Sequence, residues 1–302
     1  MAYELSDSDA LMAQQPAAER PAIDPAEYDD AYFLCASEGY REFAVSRGRR
    51  LGPRFRKALA LAEVRPGQCV LDIGCGRGEL VMRCAGLGAF ATGIDYSEAA
   101  VAIAHDALAG HPADVQERAA FVLMDARSLE LTDASFDTVF MTDVVEHLMP
   151  LELAAALAEA RRVLRPGGRL VVHTSPNRLL LERVYPAYVR RVHQALAAAC
   201  RLLRYRDAVF SPDLPVSPRY PRTDYERRLH VNEQTSESLR AVLEGAGFRV
   251  ERILYWEPEV YPTRLSLRLR LLDFLRYLRP LSYFPPLNRY FCNHIWAVGH
   301  RP

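Results

Sequence analysis

The run Val70-Leu71-Asp72-Ile73-Gly74-Cys75-Gly76-Arg77-Gly78 joins a short apolar segment to three alternating glycines, and Glu79 follows at once. Glycines in such a loop let the backbone approach a ligand closely and adopt a positive φ. Asp95 stands 21 residues beyond Gly74, at the end of the next apolar run, where an acid can accept from both hydroxyls of a ribose. A dinucleotide loop favours GxGxxG, which seats a diphosphate on a helix N-terminus. Here the spacing is GxGxG and a carboxylate takes the place of the third glycine. Asp72 and Glu79 repel phosphate and suit a cationic group. A second cluster, Asp143, Glu146 and His147, has offsets of three and four that share one helix face. His230, in Leu229-His230-Val231-Asn232-Glu233, is a further imidazole with acid/base or ligand chemistry.

These groups need a frame, and the chain alternates strand and helix patterns after Pro66-Gly67. Strands are expected at Cys69–Ile73, Phe90–Ile94, Phe121–Met124, Phe136–Met141 and Arg169–Thr174, with helices at Ser97–Leu108 and Leu151–Leu164. Pro166-Gly167-Gly168 is expected to turn the chain into the fifth strand. A helix at Glu237–Glu244, strand Phe248–Trp256 and last strand His294–Gly299 complete the pattern. Buried strands separated by helices imply a parallel sheet covered on both faces. Tyr32, Phe33, Tyr40, Phe43, Phe55 and Leu59 recur at helical spacing within Tyr28–Ala62 and predict a helical segment with one buried face.

The chain has 302 residues, 50% apolar and 25% charged, which excludes a disordered or fibrous protein. Its 38 basic and 38 acidic side chains cancel, so an extended nucleic-acid partner is not expected from charge. Lys57 is the sole lysine, a bias that fits a GC-rich bacterial genome. The six cysteines show no CxxC pair and read as reduced thiols. Neither a signal peptide nor an apolar run of membrane-spanning length is visible, which leads to the expectation of a cytoplasmic protein.

The loop and its acids resemble class I S-adenosylmethionine-dependent methyltransferases. Met124-Asp125-Ala126 resembles that family's adenine-contacting turn, Phe136-Asp137-Thr138-Val139 its fourth strand, and Leu164-Arg165-Pro166-Gly167-Gly168-Arg169-Leu170 its entry to the fifth. The resemblance spans about half the chain. It implies an α/β fold, a Rossmann-like doubly wound seven-stranded sheet with the last strand antiparallel, to which the two long stretches outside the strand–helix rhythm add helical cap insertions. It also implies S-adenosyl-L-methionine as cofactor, bound by Asp72, Gly74, Cys75, Gly76, Asp95, Tyr96, Asp125, Ala126 and Asp143, with Tyr28 and Tyr32 covering the sulfonium. The segment Asp143–His147 is similar to the acid-x-x-Glu-His element of ubiquinone-pathway O-methyltransferases and small-RNA 2′-O-methyltransferases. That similarity implies a divalent metal, Mg²⁺ or Mn²⁺, on Asp143, Glu146, His147 and His230; metal-free relatives use the Glu-His for hydrogen bonding, which leaves His147 or His230 as general base.

The expected organisation is a mobile tail over 1–24, a helical lid over 25–62, a cofactor-binding core over 63–177, a cap insertion over 178–229, and the C-terminal part of the sheet over 230–302, interrupted by a basic insertion over 257–291. The cap carries Arg183, Arg190, Arg191, Arg201, Arg204 and Arg206 among Tyr185, Tyr188 and Tyr205, a lining suited to an anionic or sugar-bearing substrate. Arg264, Arg268, Arg276 and Arg279 alternate with leucines, so 264–279 could rest on an anionic bilayer; packing on its own domain or on a partner subunit is the competing reading. The function expected is O-methylation of a small molecule or glycan in a bacterial biosynthetic pathway. A lipid-linked or RNA hydroxyl acceptor, a nicotinamide-dependent oxidoreductase and a non-catalytic cofactor-binding protein are the alternatives. DNA adenine methylation is disfavoured, because Thr142-Asp143-Val144-Val145 is unlike an Asn/Asp-Pro-Pro-Tyr element.

Overall fold

The computed structural model describes residues 22–202, 228–256 and 279–302. Residues 1–21, 203–227 and 257–278 lie outside them, and with them Arg204, Tyr205, Arg206, Arg264, Arg268 and Arg276 of the two expected basic insertions. The side chains of Arg201 and Arg279 also lie outside the description.

The chain enters through a 3₁₀ turn at Pro25–Glu27, a π-type turn at Tyr32–Ala36, α1 (Tyr40–Ser46) and α2 (Pro53–Ala62). The single helical face expected over Tyr28–Ala62 is therefore broken. Gly39 takes φ +80 and Gly48 φ +79 at the breaks, and Arg47 ends α1 in the left-handed region. Residues 22–24 of the expected tail lie within the described structure: Ile23 is buried, Asp24 caps the first turn by accepting from the Ala26 amide, and the Ala22 amide donates to Glu152.

β1 (Cys69–Ile73), α3 (Glu79–Gly86), β2 (Phe90–Asp95), α4 (Glu98–Leu108), β3 (Ala119–Leu123), β4 (Phe136–Thr142), α5 (Pro150–Val163) and β5 (Leu164–Thr174) follow. After them come α6 (Arg190–Leu202), α7 (Ser236–Gly245), β6 (Arg249–Tyr255) and β7 (Ile295–His300). The seven strands form one sheet in the order β3-β2-β1-β4-β5-β7-β6, with β7 antiparallel to both neighbours. The architecture is the doubly wound sheet read from the sequence, with strand boundaries within a few residues. Pro166-Gly167-Gly168 is no turn ahead of β5 but a bulge inside it: pairing jumps from Phe136↔Leu164 to Thr138↔Arg169, and Gly167 and Gly168 are hydrogen-bonded to Arg301.

Alternation along the strands builds two cores. Val70, Phe140, Val171, Trp296 and Val298 pack with α2, α3 and α4 on one face; Leu71, Val139, Met141, Val172 and Ala297 pack with α5 and α7 on the other. Progression runs outward from β1 to β3, then restarts with β4 on the opposite side of β1. Strand order thus reverses between β1 and β4, and a crevice opens beyond their carboxyl ends, where the glycine loop and Asp143 emerge.

Candidate active site

A cavity of about 590 Å³ occupies that crevice. The β1 loop supplies Gly74, Cys75 and Gly76, the end of β2 Asp95 and Tyr96, the turn after β3 Met124, Asp125 and Ala126, and the end of β4 Asp143, Val144, Glu146 and His147. The N-terminal segment covers it with Tyr28, Tyr32 and Phe33, and Leu229 and His230 close the remaining side. All the cofactor, catalytic and metal residues expected from the sequence therefore converge here except Asp72, whereas none of the described cap residues Arg183, Tyr185, Tyr188, Arg190 and Arg191 lines the cavity. Asp72 is 2% exposed within β1 and does not line the cavity. Burial pushes its carboxyl well up, the nearby Asp95 adds to the rise, and its Oδ1 has no hydrogen-bond partner.

Backbone conformation shapes the loop. Gly74 (φ +70) leaves no room for a side chain, since a Cβ would lie 2.5 Å from Val144 Cγ2, and Gly76 (φ +51) faces the Phe33 ring. Asp95 accepts from the Gly76 amide at 2.9 Å and from the Ser97 amide at 3.0 Å, so one carboxylate ties the loop to the start of α4. Its burial raises the pKa to about 6 against those two bonds. Asp125 is held by a bidentate contact with Arg127.

Arg77, unremarked in the sequence, is 4% exposed and forms a buried ion pair with Glu79 at 2.9 Å. Its guanidinium also donates to the Phe33 carbonyl (2.6 Å), the Glu38 carbonyl (2.8 Å) and the Ser37 hydroxyl. The glycine loop therefore holds the aromatic cover in place. Tyr28, Tyr32 and Tyr96 pack edge to face or tilted at 5.1 and 5.5 Å between centroids, and the Ser97 hydroxyl donates to the Tyr28 carbonyl.

The expected four-residue metal set divides. Ligand atoms of Glu146, His147 and His230 lie within 4.8 Å of one another, an acid and two imidazoles of the kind that bind borderline cations. Asp143 belongs elsewhere. It adopts φ +56, pairs with Arg54 from α2, and places Oδ1 2.7 Å from His173 Nδ1. His173, fully buried at the end of β5, meets His294 at 2.9 Å through its other nitrogen. Arg54 and the two imidazoles hold the Asp143 carboxyl far below its ordinary range despite burial. A carboxylate so committed does not complete the metal set.

Sequence reading missed Arg54, His173 and His294. His173 and His294 sit at the paired ends of β5 and β7, where a polar residue closing an apolar strand is a weak signal; nothing in the spacing of Arg54 marks it.

Glu146 is 1% exposed and accepts from the Thr174 hydroxyl at 2.8 Å and the Ser175 amide at 3.3 Å. Burial and the Asp143 charge raise its pKa to about 8. His147 Nδ1 lies 3.0 Å from the Leu229 carbonyl and 2.9 Å from the Tyr28 hydroxyl. A carbonyl only accepts while the Tyr28 hydroxyl can donate or accept, so the tautomer that satisfies both contacts has the proton on Nδ1 and the lone pair on Nε2. Burial lowers the His147 pKa to about 4.

Residues 71–172 match the family model described as a methyltransferase domain. Among curated proteins, the chain is 42% identical over 124 residues to 27-O-demethylrifamycin SV methyltransferase of Amycolatopsis mediterranei, covering 41% of this chain and 43% of that protein. It is 35% identical over 150 residues to demethylmenaquinone methyltransferase of Mycolicibacterium vanbaalenii, covering 48% and 58%. The chain thus spans about half the length of the curated relatives it matches. Among solved structures, a putative methyltransferase in complex with the Haloferax volcanii Trm112 activator superposes with TM-score 0.56 at 17% identity, covering 90% and 97% of the chains. The [4+2]-cyclase SpnF superposes at 0.51 and 21%, covering 84% of each. Such likeness carries the fold, and the cyclase shows that the fold alone does not fix the reaction.

Proposed function

We infer, for a chain that carries a domain of the class I S-adenosylmethionine-dependent methyltransferase superfamily, that it transfers a methyl group to an oxygen of a small-molecule or glycan acceptor in bacterial biosynthesis. The single observation that carries the oxygen acceptor is the contact of His147 Nδ1 with the Leu229 carbonyl: the tautomer that donates there keeps Nε2 as a proton acceptor on a residue that lines the cavity. The rifamycin relative, whose name specifies an O-demethyl substrate, supports the same choice.

The residues present fit the cofactor. The glycine cradle admits close backbone approach and Asp95, in the cavity wall, can accept from ribose hydroxyls, while the Glu79 charge is taken up by Arg77. S-adenosylmethionine would supply an electrophilic methyl group there. The chain's own contribution is orientation and exclusion of water, the main sources of rate for an in-line displacement. Tyr28, Tyr32 and Phe33 cover the site from solvent, Arg77 holds that cover to the loop, and His147 Nε2 receives the acceptor proton.

A second reading rests on the mutual distances of Glu146, His147 and His230: a divalent cation on these three would orient paired oxygens of the acceptor. Activity retained after chelation, with no heat on titrating Mg²⁺ or Mn²⁺, eliminates it.

The deciding experiment is calorimetric titration of the protein with S-adenosylhomocysteine and with NAD, followed by methyl-transfer assays of wild type and His147→Ala. Tight binding of NAD without response to S-adenosylhomocysteine would overturn the reading in favour of an oxidoreductase. Cofactor affinity with no turnover on any acceptor would favour a non-catalytic binding protein.

A further inference from the structure

Tyr283, Phe284, Pro285, Pro286 and Leu287 are five consecutive exposed apolar positions, and Tyr290 joins them one turn later. Phe284 is 61% exposed and Leu287 42%. An exposed apolar run of this length is rarely kept without a use. Leu180, Val184, Tyr185 and Val189 form a small core against which Tyr188 and Phe291 pack, and Phe284 and Leu287 are not members of it.

The position of the run matters. β5 ends at Thr174 and β7 begins at Ile295, which are paired. The segments leaving those two points therefore emerge at the same end of the sheet as Asp95, Asp143 and His147, beside the cavity mouth.

Charge selects the partner. Arg183 and Arg191 are exposed beside this core. The sequence just before the run, from 264 to 279, contains five arginines (Arg264, Arg268, Arg270, Arg276 and Arg279) and one acid, Asp273. Aromatic residues flanked by arginines are the composition of a membrane-interface segment drawn to anionic headgroups. A second protein chain suits the run less well, since the run's six exposed apolar side chains among the described residues are far short of the roughly 20–30 residues that a stable protein interface uses on each side. No helix among the described residues is long and apolar enough to cross a membrane.

We propose that the Tyr283–Tyr290 face docks on an anionic lipid bilayer and presents the cavity mouth to an acceptor held in that membrane. The delivery of an acceptor rests on the methyltransferase reading; the docking does not.

The test is co-sedimentation of the full chain with vesicles of phosphatidylcholine alone and of equal parts phosphatidylcholine and phosphatidylglycerol, at low and high salt. The chain is expected to sediment with the anionic vesicles at low salt only. The double variant Phe284→Glu/Leu287→Glu is expected to lose about tenfold or more of that partition. Both side chains are exposed, so its circular dichroism and affinity for S-adenosylhomocysteine should match wild type. Leu151→Glu, an exposed position on α5 outside the face, should bind vesicles normally. Wild type that ignores anionic vesicles, or a double variant that binds as wild type does, overturns the proposal. So does a double variant that converts a dimer to monomer with no vesicle effect, which assigns the face to a second copy. Loss of S-adenosylhomocysteine binding in wild type would refute the cofactor reading and leave the vesicle result standing.

Discussion

Replacing Arg77 by methionine tests the link between glycine loop and aromatic cover most sharply. Methionine keeps much of the unbranched stem but removes the charge, leaving Glu79, itself 5% exposed, as a buried carboxylate without its cation. Breaking a buried pair in this way costs about 3–5 kcal/mol. The lost bonds to Phe33, Ser37 and Glu38 fall partly within that figure, because exposed Glu38 regains water. Removing both charges in Arg77→Met/Glu79→Gln eliminates the stranded carboxylate and should recover about 2 kcal/mol or more of the loss. The lid bonds stay broken in both variants. Urea denaturation of wild type, both single variants and the double variant gives the coupling, and hydrogen exchange of residues 28–38 reports the cover. The expected pattern is a strongly destabilised Arg77→Met, a partly recovered double variant, and fast exchange of the cover in both. A double variant as unstable as the single one, or a cover whose exchange is unchanged, would refute this account of Arg77.

Further outcomes follow from the same geometry. Gly74→Ala places a Cβ 2.5 Å from Val144 Cγ2 at φ +70, and should cost about 2 kcal/mol or more in denaturation and weaken S-adenosylhomocysteine binding in calorimetry. His147→Ala should lower methyl transfer by about 10²–10⁴-fold with cofactor affinity nearly unchanged; an equal loss of affinity would move His147 from base to binding residue. In metal-free buffer, the lowered His147 pKa means that the unfolded chain takes up the proton first. Stability should therefore fall as pH drops from 6.5 toward 4, by an order of 3 kcal/mol for this group. Wild type should lose more than His147→Ala in thermal melts across that window. The raised pKa of Glu146 acts in the opposite sense: the unfolded chain releases its proton first, and stability falls as pH rises from 4.5 toward 8. Glu146→Gln should flatten that alkaline decline, and an unaltered slope would show that Glu146 is already ionised in the folded protein.

The sheet and the cofactor crevice were largely legible in the residues, because both depend on local signals. Apolar runs ending in Gly74-Cys75-Gly76 and in Asp95 determine strand, loop and acid together, through side-chain alternation and the φ values that only glycine adopts freely. Asp72 carries the same signals, yet alternation turns it inward beneath the loop, a consequence of where α2 and α3 pack. The division of the acid cluster could not be read from spacing. Asp143 and Glu146 are equivalent in sequence, and only tertiary packing brings Arg54 from α2 and His173 from β5 to the former, and Thr174 and Ser175 to the latter. The Arg77 contacts with residues 33–38 span about forty positions, and the bond that sets the His147 tautomer joins residues 82 apart. Local pattern therefore determined which chemical groups reach one edge of the sheet; the charge and proton each of them carries were decided by partners that only the folded chain brings near.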